Sequence, residues 1–83
     1  MEQEKIRLAA DWLRSLLHLE ILAPIEKFEL TEMGQNQYRL TFEIKGAEKV
    51  FPMPAAWVEG IADGNELIRE LIKGNLLNLA RMV

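Results

Sequence analysis

His18 and Ser15 are the only histidine and the only serine in the chain, so nucleophilic catalysis of the serine–histidine kind would have to use these two side chains. Both fall on the polar side of the first predicted helix. An acidic residue on the same side, Asp11, lies two helical turns before His18. A catalytic histidine needs a group that orients it and a nucleophile within reach. This spacing is typical of a solvated histidine, and we expect no catalytic residues and no enzyme activity.

Pairs of carboxylates are the second arrangement that could do chemistry, either as general acid and base or as ligands of a hard metal ion. Glu29 and Glu43 fall on the outward side of predicted strands, and Glu66 and Glu70 lie one helical turn apart. Solvated carboxylates at such spacings are common on protein surfaces. The sequence contains no EF-hand loop and no cysteine. We therefore expect no metal ion and no cofactor.

Glu20 is the one carboxylate at an unusual position, because it lies near the centre of the apolar side of the first predicted helix. A charge is costly to bury without a partner. Two interpretations follow. The last helical turn extends beyond the sheet so that Glu20 reaches water, or Glu20 forms an ion pair with Lys27 or with a partner chain.

The first helix is predicted over residues 2–22, and Pro24 ends it because the residue before a proline is driven out of the helical region. Its polar side chains occupy an arc of only about 100°. They are Glu4, Arg7, Asp11, Arg14, Ser15 and His18. The apolar arc spans about 220°, roughly twice what one packing face requires. One flank of it carries Leu8, Trp12 and Leu19, which we expect either the C-terminal helices or a second protein chain to cover.

Residues 25–53 alternate between apolar and polar side chains, which predicts a three-stranded antiparallel meander with one apolar face. Leu30 must lie opposite Leu40 or Tyr38 to share that face. This pairing requires a loop with an odd number of residues, three or five, and a three-residue loop with glycine or asparagine at a positive φ fits. Pro52 cannot donate to a ladder, so the third strand is expected at an edge of the sheet.

The second turn of the meander is expected at Gly46-Ala47, as a two-residue type II′ turn with glycine first. It would place Phe42 opposite Phe51. Leu40 would then face Met53, and all three strands would keep one apolar face.

Residues 54–61 are predicted to form a short helix that places Trp57 in the core. The last helix begins near residue 64, where Asp63 and Glu66 have the spacing of a capping box. Gly74-Asn75 interrupts its apolar pattern, and we favour a helix that continues through this point with a kink over one that ends before it. The residues expected to share its apolar face are Leu67, Ile68, Leu71, Ile72, Leu79 and Met82.

These elements give the order α-β-β-β-α-α, an α+β fold in which the helices cover one face of the meander, as a single domain over residues 1–83. The lack of cysteine excludes a disulfide scaffold and is in keeping with a reducing compartment. No apolar run approaches the ~18 residues that a membrane span requires, and the polar residues 1–5 are unlike a secretory signal. We expect a cytoplasmic protein with no membrane partner.

Nucleic-acid binding is disfavoured by the net charge of −3. The order of elements resembles that of the double-stranded-RNA-binding domain, and the last two helices have the outline of a helix-turn-helix. Both would meet phosphates with basic residues. Here the helix start reads Asp63-Gly64-Asn65-Glu66, and the side chains that follow, Arg69, Glu70 and Lys73, form no basic stripe. We expect no nucleic-acid partner.

We interpret the chain as a small non-catalytic protein–protein interaction module of the adaptor, assembly-factor or inhibitor type, which forms a homodimer or binds another protein. Folding of so short a chain buries only about 63% of its unfolded surface, so the chain gains from a partner. The residues of the expected interface are Leu8, Trp12, Leu19 and Glu20. The alternative interpretation is a small-molecule-binding domain or small enzyme with a pocket between the sheet and the helices.

Overall fold

The computed structural model describes residues 2–82. Six elements follow one another as α1 (Gln3–Glu20), β1 (Ile25–Gly34), β2 (Gln37–Ile44), β3 (Ala47–Pro54), α2 (Ala55–Ala62) and α3 (Glu66–Arg81). The strands form one antiparallel sheet in the order β1-β2-β3. The predicted α+β class and the α-β-β-β-α-α order are confirmed. Among residues 2–82, no helix is both long enough and apolar enough to cross a membrane.

The helix α1 ends at Glu20, two residues earlier than predicted, because Ile21 already has extended backbone angles. Only four residues, including Pro24, then connect the end of α1 to the start of β1 at Ile25. The inward side of α1 supplies four buried residues to the core, namely Ala9, Leu13, Leu16 and Leu17. The inward side of β2 supplies four more, namely Tyr38, Leu40, Phe42 and Ile44.

The turn between β2 and β3 is formed by Lys45 and Gly46 and is closed by the pair Ile44 and Ala47. The predicted turn at Gly46-Ala47 was therefore one residue too late. Lys45 has a φ of 54° and Gly46 a φ of 80°. Positive φ at both central residues is typical of a type I′ turn rather than the predicted type II′. The expected positive φ at Gly46 is confirmed.

The shifted turn moves the register of the second hairpin by two residues. Phe42 lies opposite Lys49 instead of Phe51. Leu40 takes Phe51 as its partner, where Met53 was expected. Because side chains alternate along a strand, a shift of two residues leaves every side chain on the face it was predicted to occupy. Phe51 and Met53 are both buried in the core, as the alternation requires.

The first hairpin pairs Leu30 with Leu40, as expected. Its last regular pair is Glu32 with Tyr38, and a bulge on β1 then lets Gly34 pair with Gln37 around a two-residue loop. The predicted three-residue loop is therefore wrong. Five residues nevertheless separate Glu32 from Tyr38, which keeps the odd number that the shared face demands. Gly34 and Asn36 both have positive φ, so the expected residue types do occupy the strained positions.

Both edges of the sheet are interrupted. On β1 a second bulge occurs between Glu26 and Glu29, where Lys27 has a φ of 53°. On β3, Pro52 and Pro54 supply no N–H to a further strand. The expected edge position of the Pro52 strand is confirmed. Bulges and prolines at edges are devices that prevent sheets from pairing edge to edge.

The helices α2 and α3 meet in a close contact at Gly60, where a Cβ atom would overlap the Cδ1 atom of Ile68. The N-cap of α3 is Asn65, whose side-chain oxygen accepts a hydrogen bond of 3.2 Å from the Ile68 N–H. The predicted capping residue, Asp63, ends α2 instead and forms an ion pair with Lys5 at 3.2 Å. The chain turns between the two helices at Gly64, which leaves Asn65 in the capping position.

The core side of α2 is formed by Val58 and Ile61, both fully buried. Trp57 is only partly buried and packs at the margin of the core, so its predicted core position is confirmed in part. The helix α3 is one continuous element through Gly74-Asn75, as favoured from the sequence. The side chain of Asn75 is exposed and donates to the Leu71 carbonyl at 2.8 Å.

Candidate interaction surface

The residues that could have supported catalysis lie apart from any enclosed site. His18 and Ser15 are both exposed on the surface of α1. Asp11 faces Arg7 at 3.9 Å, so the carboxylate that might have oriented the histidine is engaged one turn further back. Within the described range 2–82, no group of three or more His, Cys, Asp or Glu side chains could hold a metal ion.

A row of three glutamates crosses the open face of the sheet, because Glu43 on β2 is paired with Glu26 on β1 and with Glu48 on β3. Like charges opposite one another destabilise a sheet. The bulge on β1 brings the Lys27 ammonium to 3.1 Å from the Glu43 carboxylate, which relieves this repulsion. The hydrogen bond and the charge of Glu43 raise the pKa of Lys27. This pairing is structural, and Glu43 is not arranged as a general acid or base.

Glu20 occupies the last turn of α1, where its side chain is 39% exposed. Its carboxylate lies 4.0 Å from the Lys73 ammonium and 4.0 Å from the Arg81 guanidinium, both on α3. Glu20 therefore reaches water and also faces cations. The predicted ion pair between Glu20 and Lys27 is wrong, because Lys27 pairs with Glu43 on the opposite face of the sheet.

Trp12 is half-buried, and a side chain of α3 covers part of it. The guanidinium of Arg69 lies 5.3 Å from the centre of the Trp12 ring. The rest of the predicted flank stays open, since Leu8 is 42% exposed and Leu19 is 82% exposed. Of the two expectations for this flank, cover by the C-terminal helices holds only at Trp12.

A groove of about 510 Å³ runs along the surface between α1 and α3, and we name it the α1–α3 groove. Its α1 wall consists of Trp12, Ser15, Leu16, Leu19 and Glu20. Its α3 wall consists of Glu66, Arg69, Glu70 and Lys73. Three of the four predicted interface residues therefore line one surface feature, and Leu8 lies further toward the start of the same helix. The α1 wall is mainly apolar, and the α3 wall carries side chains of both charge signs.

The outward side of α3 carries apolar residues that the sequence pattern had assigned to its packing face. Leu67 is 84% exposed, Leu71 is 48% exposed, and Met82 is also exposed. The buried residues of α3 are instead Ile72, Leu76, Leu77 and Ala80. The predicted packing face was therefore rotated about the helix axis relative to the observed one. The apolar residues Leu76, Leu77 and Ala80 were the signal in the sequence that could have identified the correct face. We name the exposed residues Leu67, Leu71, Gly74, Asn78 and Met82 the outer face of α3.

A second hollow of about 520 Å³ opens at one end of the sheet. Its floor is apolar and comes from residues 21–23, from Ile44 and Ala47, and from the end of α3. Three cationic side chains border it, namely Lys45, Lys49 and Arg81. No histidine or carboxylate lines it among the described residues, so its chemistry is that of an apolar site with a positive rim.

No family model, curated protein or solved structure matches this chain.

Proposed function

We propose that this protein is a non-catalytic interaction module that forms a homodimer through its helical layer, with Leu8, Trp12, Leu19 and Glu20 in the interface. One observation carries the proposal: large apolar side chains stand exposed on both helices that border the α1–α3 groove. Leu19 on α1 and Leu67 on α3 are more than four-fifths exposed. Large apolar side chains exposed beside charged ones are typical of a protein-binding surface.

The sheet supports this choice of surface because it offers a partner little to bind. Both of its edges are interrupted, by the bulges of β1 and by Pro52 and Pro54 of β3. Its open face carries the row of three glutamates, together with the exposed Arg39. A partner that buries apolar area would therefore dock on the helices.

The charges beside the groove favour a second copy of this chain over a partner of one charge sign. The α3 wall presents the acidic pair Glu66 and Glu70, with Lys73 one turn further along and Arg81 at the end of the helix. A two-fold axis across this surface brings the acidic end of one copy toward the basic end of the other. Such a surface complements itself, whereas a strongly acidic or basic partner would meet repulsion at one end.

The test is the mass of the protein in solution by light scattering. At about 20 μM, an interface with a micromolar dissociation constant is occupied, and a dimer is expected. Leu19→Arg should give a monomer with an unchanged far-UV circular dichroism spectrum, because Leu19 is exposed in the single chain. Trp12→Arg is a poorer probe, since Trp12 packs on the core beneath Arg69.

Leu22→Arg is the matched control, because Leu22 is fully exposed but lies outside the α1–α3 groove. It should remain dimeric. A monomeric parent protein at this concentration would reject the proposed function. A Leu19→Arg variant that stays dimeric would move the interface away from α1.

A second candidate function is favoured by the hollow at the end of the sheet. An apolar floor bordered by Lys45, Lys49 and Arg81 fits a small amphipathic carboxylate, such as a medium-chain fatty acid. Decanoate would be titrated into the labelled protein while amide NMR shifts are followed. Shifts confined to residues 21–23 and the β2–β3 turn, and lost in Lys45→Glu, would support this candidate. Shifts spread over the α1–α3 groove would exclude it.

The proposal keeps the cytoplasmic location and the absence of a nucleic-acid partner that we expected from the sequence. Two features support the latter. The start of α3 presents Glu66 to solvent rather than a basic side chain, and the net charge of the chain is −3. A salt-dependent mobility shift of duplex DNA or RNA on addition of the protein would contradict it.

A further inference from the structure

We infer that in the homodimer the two α3 helices pack against each other in antiparallel orientation, through their outer faces and with Gly74 at the point of closest approach. This inference rests on the proposed homodimer and adds the element, the direction and the crossing point of the contact. Three independent features of α3 support it: a glycine without an internal role, apolar side chains placed symmetrically about it, and a pair of opposite charges.

Gly74 lies in the middle of α3, where glycine costs about 1 kcal/mol of helix stability relative to alanine. Its backbone is helical, so no left-handed conformation requires it. A Cβ atom built on Gly74 would meet nothing within 4 Å among the described residues. Gly60 is different, because there a Cβ atom would overlap Ile68. A glycine that faces open space suits the close approach of a second backbone.

The residues around Gly74 are placed to pair across a two-fold axis. If the axis passes between Gly74 and Asn75, Leu67 of one copy lies opposite Met82 of the other. These two side chains are 84% and 64% exposed in the single chain, and the contact would cover both. Closer to the axis, Leu71 lies opposite Asn78, and both are exposed.

The charges decide the direction of the pairing. Glu70 and Arg81 lie on the same flank of α3, eleven residues apart, which is close to three helical turns. Antiparallel packing brings Glu70 of each copy beside Arg81 of the other, so that two ion pairs form. In parallel packing the two copies of this flank would lie on opposite sides of the contact, so neither ion pair would form.

The flank of α3 that carries Glu70 and Arg81 connects the contact between the two α3 helices to the α1–α3 groove. Glu70 also forms part of the α3 wall of the α1–α3 groove. The partner's α3 therefore lies beside the groove, where Leu19 extends the apolar contact onto α1. The exposed residues of α1 and α3 thus belong to one interface rather than two.

Disulfide trapping tests the direction of the pairing. The chain has no cysteine, so each introduced thiol is the only one. Leu71→Cys is mixed with a mass-tagged Asn78→Cys copy and oxidised. A mixed disulfide between the two variants is expected, because a bridge requires Cα atoms about 4.4–6.8 Å apart. Gln35→Cys, exposed in the β1–β2 loop, should cross-link only slowly.

Gly74→Lys tests the crossing point with two readouts of opposite sign. In the single chain the new side chain meets open space and replaces a poor helix former, so the monomer should unfold at a higher urea concentration. In the dimer it meets its own copy across the axis, so the dissociation constant should rise by about tenfold or more. Gln35→Lys, which adds the same charge in the β1–β2 loop, should change neither quantity.

The outcomes separate this inference from the proposed function. A monomeric parent protein overturns both. A dimer in which the Leu71→Cys variant cross-links only to a second copy of itself, with no mixed bridge to Asn78→Cys, overturns the antiparallel direction alone. A dimer whose dissociation constant is unchanged by Gly74→Lys overturns the crossing point and leaves the interaction module in place.

Discussion

The guanidinium of Arg69 stacks over the ring of Trp12 and at the same time holds the end of α2. It lies 5.3 Å from the ring centre and donates two hydrogen bonds, of 3.1 and 2.7 Å, to the Ile61 carbonyl. One side chain of α3 therefore connects all three helices. Arginine suits this place because its planar fork can stack on a ring and donate to one acceptor through two nitrogens.

Arg69→Lys should lower the free energy of unfolding by about 1–2 kcal/mol, because lysine loses the planar stack and one of the two donors. The measurement is the urea midpoint, followed by tryptophan fluorescence. Arg39→Lys is the control, since Arg39 is exposed on the open face of the sheet, and it should change stability by less than about 0.5 kcal/mol. Equal midpoints for the two variants would show that Arg69 does not link the helices.

Gly46→Val should destabilise the chain by more than about 1 kcal/mol, because the φ of 80° at Gly46 resists a β-branched residue. Ala47→Val serves as a neighbouring control, since Ala47 is an exposed strand residue where valine is favoured. Urea unfolding of the three proteins compares them directly. If Gly46→Val unfolds at the midpoint of the parent, Gly46 does not need its positive φ and the turn is assigned wrongly.

Gly60→Ala should cost about 1–3 kcal/mol, because the added methyl group overlaps the Cδ1 atom of Ile68 and lies only 3.2 Å from its Cβ atom, which cannot rotate away. Ile68→Val removes that atom. The double variant should therefore lose less stability than the sum of the two single variants, by about 1 kcal/mol in a double-mutant cycle. Strict additivity would show that α2 and α3 separate rather than collide at this contact.

Tyr38 is the only tyrosine in the chain, so ultraviolet absorbance follows its ionisation alone. Burial, reinforced by the charge of Glu32, raises the pKa of the Tyr38 phenol above its ordinary value of about 10. The folded protein should therefore titrate at a higher pH than the same protein in urea. Titrations with one common midpoint would contradict the burial of this side chain.

The raised pKa of Tyr38 also fixes the sign of the alkaline stability. The unfolded chain loses the phenol proton first, so the free energy of unfolding should hold steady below about pH 9 and fall above about pH 10. The pairs of Lys5 with Asp63 and of Lys27 with Glu43 raise both lysine pKa values and act in the same direction. The free energy of unfolding of the Tyr38→Phe variant, measured by urea unfolding, should fall less steeply as the pH rises.

The faces of the sheet could be predicted from the sequence, but its register could not. Alternation determines which side a residue occupies, and registers that differ by two residues are equivalent by that criterion. Phe42 could therefore lie opposite Phe51 or Lys49, and in both registers every side chain would stay on the same face of the sheet. The choice was made by the turn, where Lys45 adopts a positive φ that its residue type does not predict.

The orientation of α3 was missed for a related reason. Its apolar residues extend around more than half of the helix, so the pattern allows several packing faces. The structure selects the one centred on Leu76, with Gly60 of α2 packed against Ile68. The apolar residues of α3 that are not packed in the core, Leu67 among them, then lie on its exposed outer face. The partners of Glu20 were beyond prediction too, because Lys73 and Arg81 approach it only through the packing of α1 and α3.

The interruptions along the sheet edges bear on how the protein behaves when concentrated. A cross-β fibril grows by adding strands in register to an open edge. The ladder of β1 is broken at Lys27, and Pro52 and Pro54 of β3 offer no amide donor, so the folded sheet is a poor template for another strand. Native protein at high concentration should stay free of amyloid, and fibrils should arise only from chains that have lost their sheet.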